Sequence, residues 1–287
     1  MSEPLAAEFE QLRPYLRRVA YGVLGSLVDA EDVVQDAWFR LQRVERSEID
    51  DLRAYLAQVV ARRALDVLGS ARMRRETYVG PWLPEPVVDG LTPEDRLTLD
   101  ESISLALLVV LEKLSPAERT AFVLHDVFGY SFGEVGRVVG RGEAAVRQLA
   151  SRARRHVESE GARFDPSPEE HREVFSAFTS ALEGGDVRDL VALLDPDVVM
   201  VSDGGGIVNA SRTPLLGADR VARALIASRD HNPLTLRPVT VNGRAGLIAR
   251  DARDGTLTVL SISVRDGHIT RVHIIRNPEK LGSVEGG

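Results

Sequence analysis

Two rows of arginine and one acidic cluster stand out in this 287-residue sequence as groups able to do chemistry. Residues 62–75 (RRALDVLGSARMRR) hold five arginines against Asp66, a local charge of +4. Residues 137–155 hold six against Glu143, a local +5, and acids gather at Asp29, Glu31, Asp32 and Asp36. Guanidinium rows suit phosphate, and the net charge of −7 does not oppose this. Screening cuts interactions off beyond about 8–10 Å, so the local field decides. A second chemistry is general acid–base work, for which Asp203, His231, His268 and His273 are the candidates. It has less support. His268 and His273 are five apart on one predicted strand and so face opposite sides of it. Asp203 precedes three glycines, which reads as a turn or contact loop rather than a buried base. There is no cysteine, which removes disulfides, thiolate nucleophiles and cysteine zinc sites. The six histidines lack ligand-like spacing, so no metal and no cofactor are expected.

The elements that must position these groups follow from periodicity. Phe9, Leu12, Leu16, Val19, Ala20 and Val23 recur at threes and fours and predict a helix that Gly25 stops. A second helix is predicted from Asp29, with that carboxylate as its cap and Val33, Val34, Ala37, Trp38 and Leu41 inward. A third runs from Asp51 to Arg75. At Tyr78–Pro86 (YVGPWLPEP) three prolines in six residues preclude helix. This connector is apolar, unlike the Gly/Ser-rich or charged kind, and Tyr78, Trp82 and Leu83 call for a surface to lie on. Residues 93–160 return to helix, with Ser115-Pro116-Ala117-Glu118 as one start signal. A short helix (131–139), a Gly140-Arg141-Gly142 turn and a longer helix (143–158) have the layout of a helix-turn-helix. Val135, Val138, Val146 and Leu149 would pack the pair. Arg147, Gln148, Ser151, Arg152 and Arg155 would then face outward, where arginine and glutamine can read guanine and adenine edges or hold phosphate.

From Asp165-Pro166-Ser167-Pro168 onward the character changes. Helices over 169–182, 187–194 and 217–228 accompany strands over 197–201, 234–241, 245–250, 256–265 and 268–276. Arg-Asp-Gly at 253–255 and at 265–267 marks two hairpins. Helices followed by an antiparallel meander predict an α+β domain with one concave face. The chain length implies two or three domains. Its longest apolar run, Leu105–Leu111, is seven residues against the roughly 20 that span a bilayer, so no membrane association is expected. The amino terminus has neither a basic start nor an apolar stretch, so no secretory leader and a cytoplasmic location are expected.

Three pieces, DAEDVVQDAWFRL (29–41), LRAYLAQVVARRALDVLGSARMRRE (52–76) and LSPAERTAFVLHDVFGYSFGEVGRVVGRGEAAVRQLASRARRHV (114–157), resemble the extracytoplasmic-function sigma factors of bacterial RNA polymerase. The remainder resembles the SigJ type of that family, in which a SnoaL-like cone domain follows the second DNA-binding domain. Its marks are YVGPWLPEP (78–86), DGGG (203–206) and NPEKL (277–281). In that loop motif a lysine follows the glycines, and Ile207 stands there in this chain. The resemblance implies a sigma-2 domain over 1–76, a Pro-rich linker over 77–97, a sigma-4 helix-turn-helix domain over 98–162 and a SnoaL-like domain over 163–287. The expected fold is two all-α sigma domains followed by an α+β cone with a curved antiparallel sheet.

The resemblance also implies roles. Asp29, Glu31, Asp32, Gln35, Asp36, Trp38 and Phe39 would dock on the clamp helices of core RNA polymerase, whose flap is the other contact on the two large subunits. Arg62, Arg63, Asp66, Arg72, Arg74 and Arg75 would read the −10 element of promoter DNA. Arg141, Glu143, Arg147, Gln148, Ser151, Arg152 and Arg155 would read the −35 element. Tyr78, Trp82, Leu83 and Pro84 would meet Asp203, Gly204, Gly205 and Gly206, with Asn277, Pro278, Lys280 and Leu281, in a regulatory contact. The protein is then a monomeric, non-enzymatic transcription factor with room for a small-molecule ligand in its cone. The competing reading is a helix-turn-helix regulator whose cone binds or transforms a small hydrophobic ligand. It leaves the acidic helix and the first basic helix without a purpose.

Overall fold

The computed structural model describes residues 3–88, 103–160, 167–231 and 233–284, with side chains from 5 to 70 and from 77 onward within those limits. The chain divides into two compact units, one of residues 1–76 with 108–160 and one of 77–107 with 161–287. Residues 93–102, expected to be helical, lie outside the described residues, as do Asp165 and Pro166.

In the first unit, α1 (Glu3–Leu24), α2 (Leu27–Leu41) and α3 (Leu52–Glu76) form one bundle. Leu16, Val19, Ala20 and Val23 are buried, the stripe that their spacing predicts. The cap of α2 differs from the expected one. Ser26, not Asp29, caps the helix, its Oγ accepting from the Asp29 amide at 3.1 Å. Asp29 lies one turn in, where its charge still complements the helix dipole. Next come α4 (Leu105–Leu111) and α5 (Pro116–Phe122), the latter opened by the capping box of Ser115 and Glu118. A π-helical turn over Val123–Val127 leads to α6 (Phe132–Val139) and α7 (Glu143–Ser159). Val135, Val138, Val146 and Leu149 are buried between α6 and α7, as expected of a helix-turn-helix. Gly136 sets that approach, since a Cβ there would stand 2.6 Å from the Arg141 carbonyl oxygen. The sides of this unit meet through Tyr15 and Tyr130, whose hydroxyls are 2.5 Å apart, and through buried Arg119, which pairs with Glu112 and donates to the Gly22 carbonyl.

In the second unit, α8 (Pro168–Gly184) and α9 (Val187–Leu193) precede β1 (Leu194–Asp203). The two-residue β2 (Leu215–Leu216) and α10 (Ala218–His231) lead to β3 (Leu234–Val241), β4 (Arg244–Asp251), β5 (Leu257–Arg265) and β6 (His268–Ile275). The sheet order is β2-β1-β6-β5-β4-β3. The β3–β6 meander is antiparallel as expected, but β1 runs parallel to β6, so the sheet is mixed. The reason is connectivity: α10 intervenes between β1 and the meander, and a crossover of that length admits a parallel neighbour. Register shifts at 194–199 and 263–264 interrupt the regular pairing of β6 with its two neighbours. Phe178, Leu190, Val198, Val221, Ala222 and Val272 centre the core between the three helices and one sheet face.

Candidate functional site

The connector over 77–88 is tied to the cone, and a fully buried carboxylate ties it. Asp203 ends β1 with no exposed surface, which corrects the expectation of a turn or contact-loop residue that is not buried. Strand pairing with β6 draws it in: its carbonyl accepts from the amides of Arg276 (2.7 Å) and Asn277 (3.0 Å). Its carboxylate takes four donors. Oδ1 accepts from the Tyr78 hydroxyl (2.6 Å) and the Gly205 amide (3.1 Å), and Oδ2 from the Leu83 amide (2.8 Å) and Lys280 Nζ (2.7 Å). Asn277 caps the short 3₁₀ turn Pro278–Lys280 and so delivers Lys280 to this spot. The ammonium also donates to the Leu83 carbonyl, and it sits 3.9 Å from the Trp82 ring centroid and 5.1 Å from that of Tyr78. Asn277 Nδ2 donates to the Tyr78 hydroxyl at 2.8 Å. Burial, and then the bond to Asp203, push the Tyr78 phenol above its ordinary range, so it stays a donor.

Most of the expected contact set is therefore in one place. Gly205 is required by its φ of +65° and by Asn277, whose side chain a Cβ would meet at 2.5 Å. Gly206 faces Val79. Gly204, Pro84 and Leu281 are buried, whereas Pro278 is exposed. Ile207, at the position of the family lysine, is 55% exposed and takes no part in the clamp, whose cation comes from Lys280. One anchor was not foreseen. Asn242 in the β3–β4 turn, with φ of +48°, bonds to both backbone groups of Val87 and donates to the Ile103 carbonyl. Asn242-Gly243 is visible as a turn signal, but nothing local announces a partner 155 residues away.

Among the docking candidates, Asp32, Gln35 and Phe39 are exposed, and Asp29, Glu31 and Asp36 are half-buried. Trp38 is half-buried because its ring packs on Phe9, with centroids 4.8 Å apart. The exposed apolar groups on α2 are Phe39 and Val28, the second of which was not foreseen. On α3, Arg62 and Asp66 are exposed, while Arg63 pairs with Asp36 at 2.9 Å. The side chains of Arg72, Arg74 and Arg75 lie outside the described residues. Arg141, Glu143, Arg147, Gln148, Ser151, Arg152 and Arg155 are all exposed at the turn or on α7. Glu143 pairs with Arg147 (3.3 Å), which lies over the Phe132 ring, and Arg152 pairs with Glu118 (3.1 Å).

Residues 9–74 match Sigma-70 region 2 and residues 104–157 match Sigma-70, region 4. The chain is 42% identical to the ECF RNA polymerase sigma factor SigJ of Mycobacterium tuberculosis over 96% of its own length and 92% of that protein's. This chain belongs to the ECF sigma factor family. It is also 36% identical to the probable ECF RNA polymerase sigma factor SigI of the same organism, over 97% of this chain and 95% of that one. A crystal structure of the Mycobacterium tuberculosis SigJ superimposes with a TM-score of 0.80 at 37% identity, covering 97% of this chain and 98% of that one. Region 2 of this sigma factor thus coincides with α1–α3 and region 4 with α4–α7 and the turn between α5 and α6. The α+β cone lies beyond both.

The acid–base candidates of this ECF sigma factor are not gathered at the cone cavity, a space of about 320 Å³ on the concave face. None of Asp203, His231, His268 and His273 lines it. His231 and His268 are exposed, while His273 is fully buried beside Val201 and Ser261 on the neighbouring strands. Burial, helped by Arg271, lowers the His273 pKa to about 3. Unfolding returns it to its ordinary 6.5, so the unfolded chain binds more protons between those values and stability falls as pH drops below 6.5. We expect the thermal midpoint of the cone to begin falling by pH 6, above the carboxylate range. In His273→Leu that early fall should be absent, as read by circular dichroism across pH 5–8. An unchanged slope would contradict the assignment.

Proposed function

We propose that this ECF sigma factor binds core RNA polymerase through the outer surface of α2, reads the −10 element with α3 and the −35 element with α7, and is regulated in cis by its cone. One observation carries the regulatory part: the segment joining region 2 to region 4 is held by the cone at the Asp203 cluster. A tethered domain acts at millimolar effective concentration, so a local grip of this kind suffices to bias the two regions. On the polymerase this segment must run between the two DNA-reading regions, and the cone has to release it or travel with it. The cone serves as a regulatory rather than a catalytic module, and its cavity offers room for a small ligand. The protein is a cytoplasmic monomer in this reading, and no described helix is long and apolar enough to cross a membrane.

The test is transcription in vitro from fragmented genomic DNA, with core polymerase plus or minus the full chain and with sequencing of transcript 5′ ends. New start sites sharing two upstream motifs are expected. Gln148→Ala and Arg147→Ala should each weaken initiation about tenfold and relax the upstream motif, because one base contact contributes about 1–3 kcal/mol of discrimination. Asp203→Ala should change output from the same starts. Identical output from Asp203→Ala and wild type would sink the cis-regulatory reading.

A further inference from the structure

The cavity on the concave face of the sheet has the composition of a receptor site for an anion with an apolar body. Its walls are built by Leu225, Leu236, Leu247, Leu260 and Ile274. At about 30 Å³ per water its volume of about 320 Å³ equals roughly ten waters. Three described charged side chains line it: Arg229, Asp251 and Arg276. Asp251 is already committed. Its carboxylate takes the guanidinium of Arg253 at 2.7 and 3.1 Å and the Arg253 amide at 2.9 Å, and these bonds hold its pKa down at about 2. It is a permanent anion and a poor general base. Arg229 pairs loosely with Asp230, at 3.3 Å. Arg276 differs from both. One of its terminal nitrogens donates to the Asn209 carbonyl at 2.6 Å, and its Nε is buried with no hydrogen-bond partner among the described residues. A buried guanidinium N–H without an acceptor is costly, and an anionic oxygen is the acceptor it favours. The lining therefore carries one net positive charge and one unmet charged donor beside an apolar wall.

We propose that this cavity binds a small organic carboxylate, an apolar chain or ring of about ten to fifteen non-hydrogen atoms, with Arg276 as the donor to its headgroup. Apolar walls with a few placed polar groups are the usual make-up of a ligand site. The position links binding to the clamp. The Arg276 amide donates to the Asp203 carbonyl, and on β1 Ser202 lines the cavity while Asp203 turns to the connector. Ser202, Asn209, Ala210 and Ser211 also line a second depression, which includes Val79 and Gly80 of the connector.

The proposal rests on reading the cone as a regulatory module, but it is tested without polymerase, so the two can fail separately. The full chain would be titrated calorimetrically with decanoate and with its uncharged counterpart decanamide. Decanoate should bind at least about tenfold more tightly, the smallest effect expected of a charge-assisted hydrogen bond. Arg276→Gln should erase that preference while still binding decanamide, which also reports that the variant is folded. Arg276→Lys, which keeps the charge and loses the fork, should retain part of it. Equal binding of the two probes, binding of neither by the wild-type chain, or an undiminished preference in folded Arg276→Gln would overturn the assignment.

Discussion

Replacing Asp203 by asparagine is expected to free the connector from the cone. The carboxylate takes four donors on two oxygens, and the amide offers one oxygen and places an N–H₂ among the remaining donors. Lys280 would keep its charge at 7% exposure beside the Leu83 carbonyl and the Trp82 and Tyr78 rings, having lost the Asp203 carboxylate. Removing one partner of a buried ion pair typically costs about 3–5 kcal/mol, because the other charge stays buried. The whole grip on residues 77–83 is of that order, so the segment should open about a hundredfold or more often. Hydrogen exchange at the Leu83 amide reads this directly, and chymotryptic cleavage after Tyr78 or Trp82 should accelerate in step. Lys280→Met leaves the carboxylate three donors and should have a smaller effect. Asp203→Leu with Lys280→Met should cost less than the sum of the single changes, the signature of coupled partners. Unchanged protection of Leu83 in Asp203→Asn would mean that the cluster does not hold the connector.

How far this arrangement could be read in advance depends on the range of the interaction. The helices of both sigma regions follow from short-range signals. The Leu16–Val23 stripe, the Ser115 and Ser131 capping boxes and the Gly140 turn, with φ of +67°, each act within a few residues. The hairpins were legible for the same reason, Asp266 and Gly267 adopting the positive φ that the turn requires. The parallel β1–β6 pairing was not, since it joins strands about 70 residues apart and leaves no local mark. In the candidate site, the apolar connector pointed to a surface and the glycine loop to a close approach. The depth of Asp203 and the four-donor shell depend on β6 and on the turn after it, so periodicity could not supply them. The anchor at Asn242 was hidden for the same reason, whereas Trp38, expected inward from its spacing on α2, does pack on Phe9.

The second large effect is expected at Arg119. The two DNA-reading regions share one compact unit of about 130 residues, for which a radius of gyration of about 14 Å is ordinary. Promoter elements centred near −10 and −35 are about 85 Å apart along B-form DNA. A unit of that size cannot cover both, so region 2 and region 4 must part before the proposed reading occurs. What they must break includes the Tyr15–Tyr130 hydroxyl contact, the edge of Phe128 on Tyr15 and the bond from Arg119 to the Gly22 carbonyl, together with the packing of α3 on α5 and α6. Arg119 is 1% exposed and its partner Glu112 is 17% exposed, so Arg119→Ala removes the cation of a largely buried pair and a donor to the Gly22 carbonyl, at a cost of about 3–5 kcal/mol. Tyr130→Phe removes one hydrogen bond, about 1 kcal/mol. Because the chain has no cysteine, Ser47→Cys with Ser159→Cys gives two unique labelling positions, both exposed. Electron–electron distance measurement on the wild-type background should give one narrow, short distribution. Tyr130→Phe should add a minor long component, and Arg119→Ala should make the long component dominant. Core polymerase should drive all three backgrounds to the long distance, with Arg119→Ala needing the least polymerase, because the cost of opening has already been met. A distribution that stays narrow and short in Arg119→Ala, in a chain that remains helical, would place the restraint on opening outside this interface.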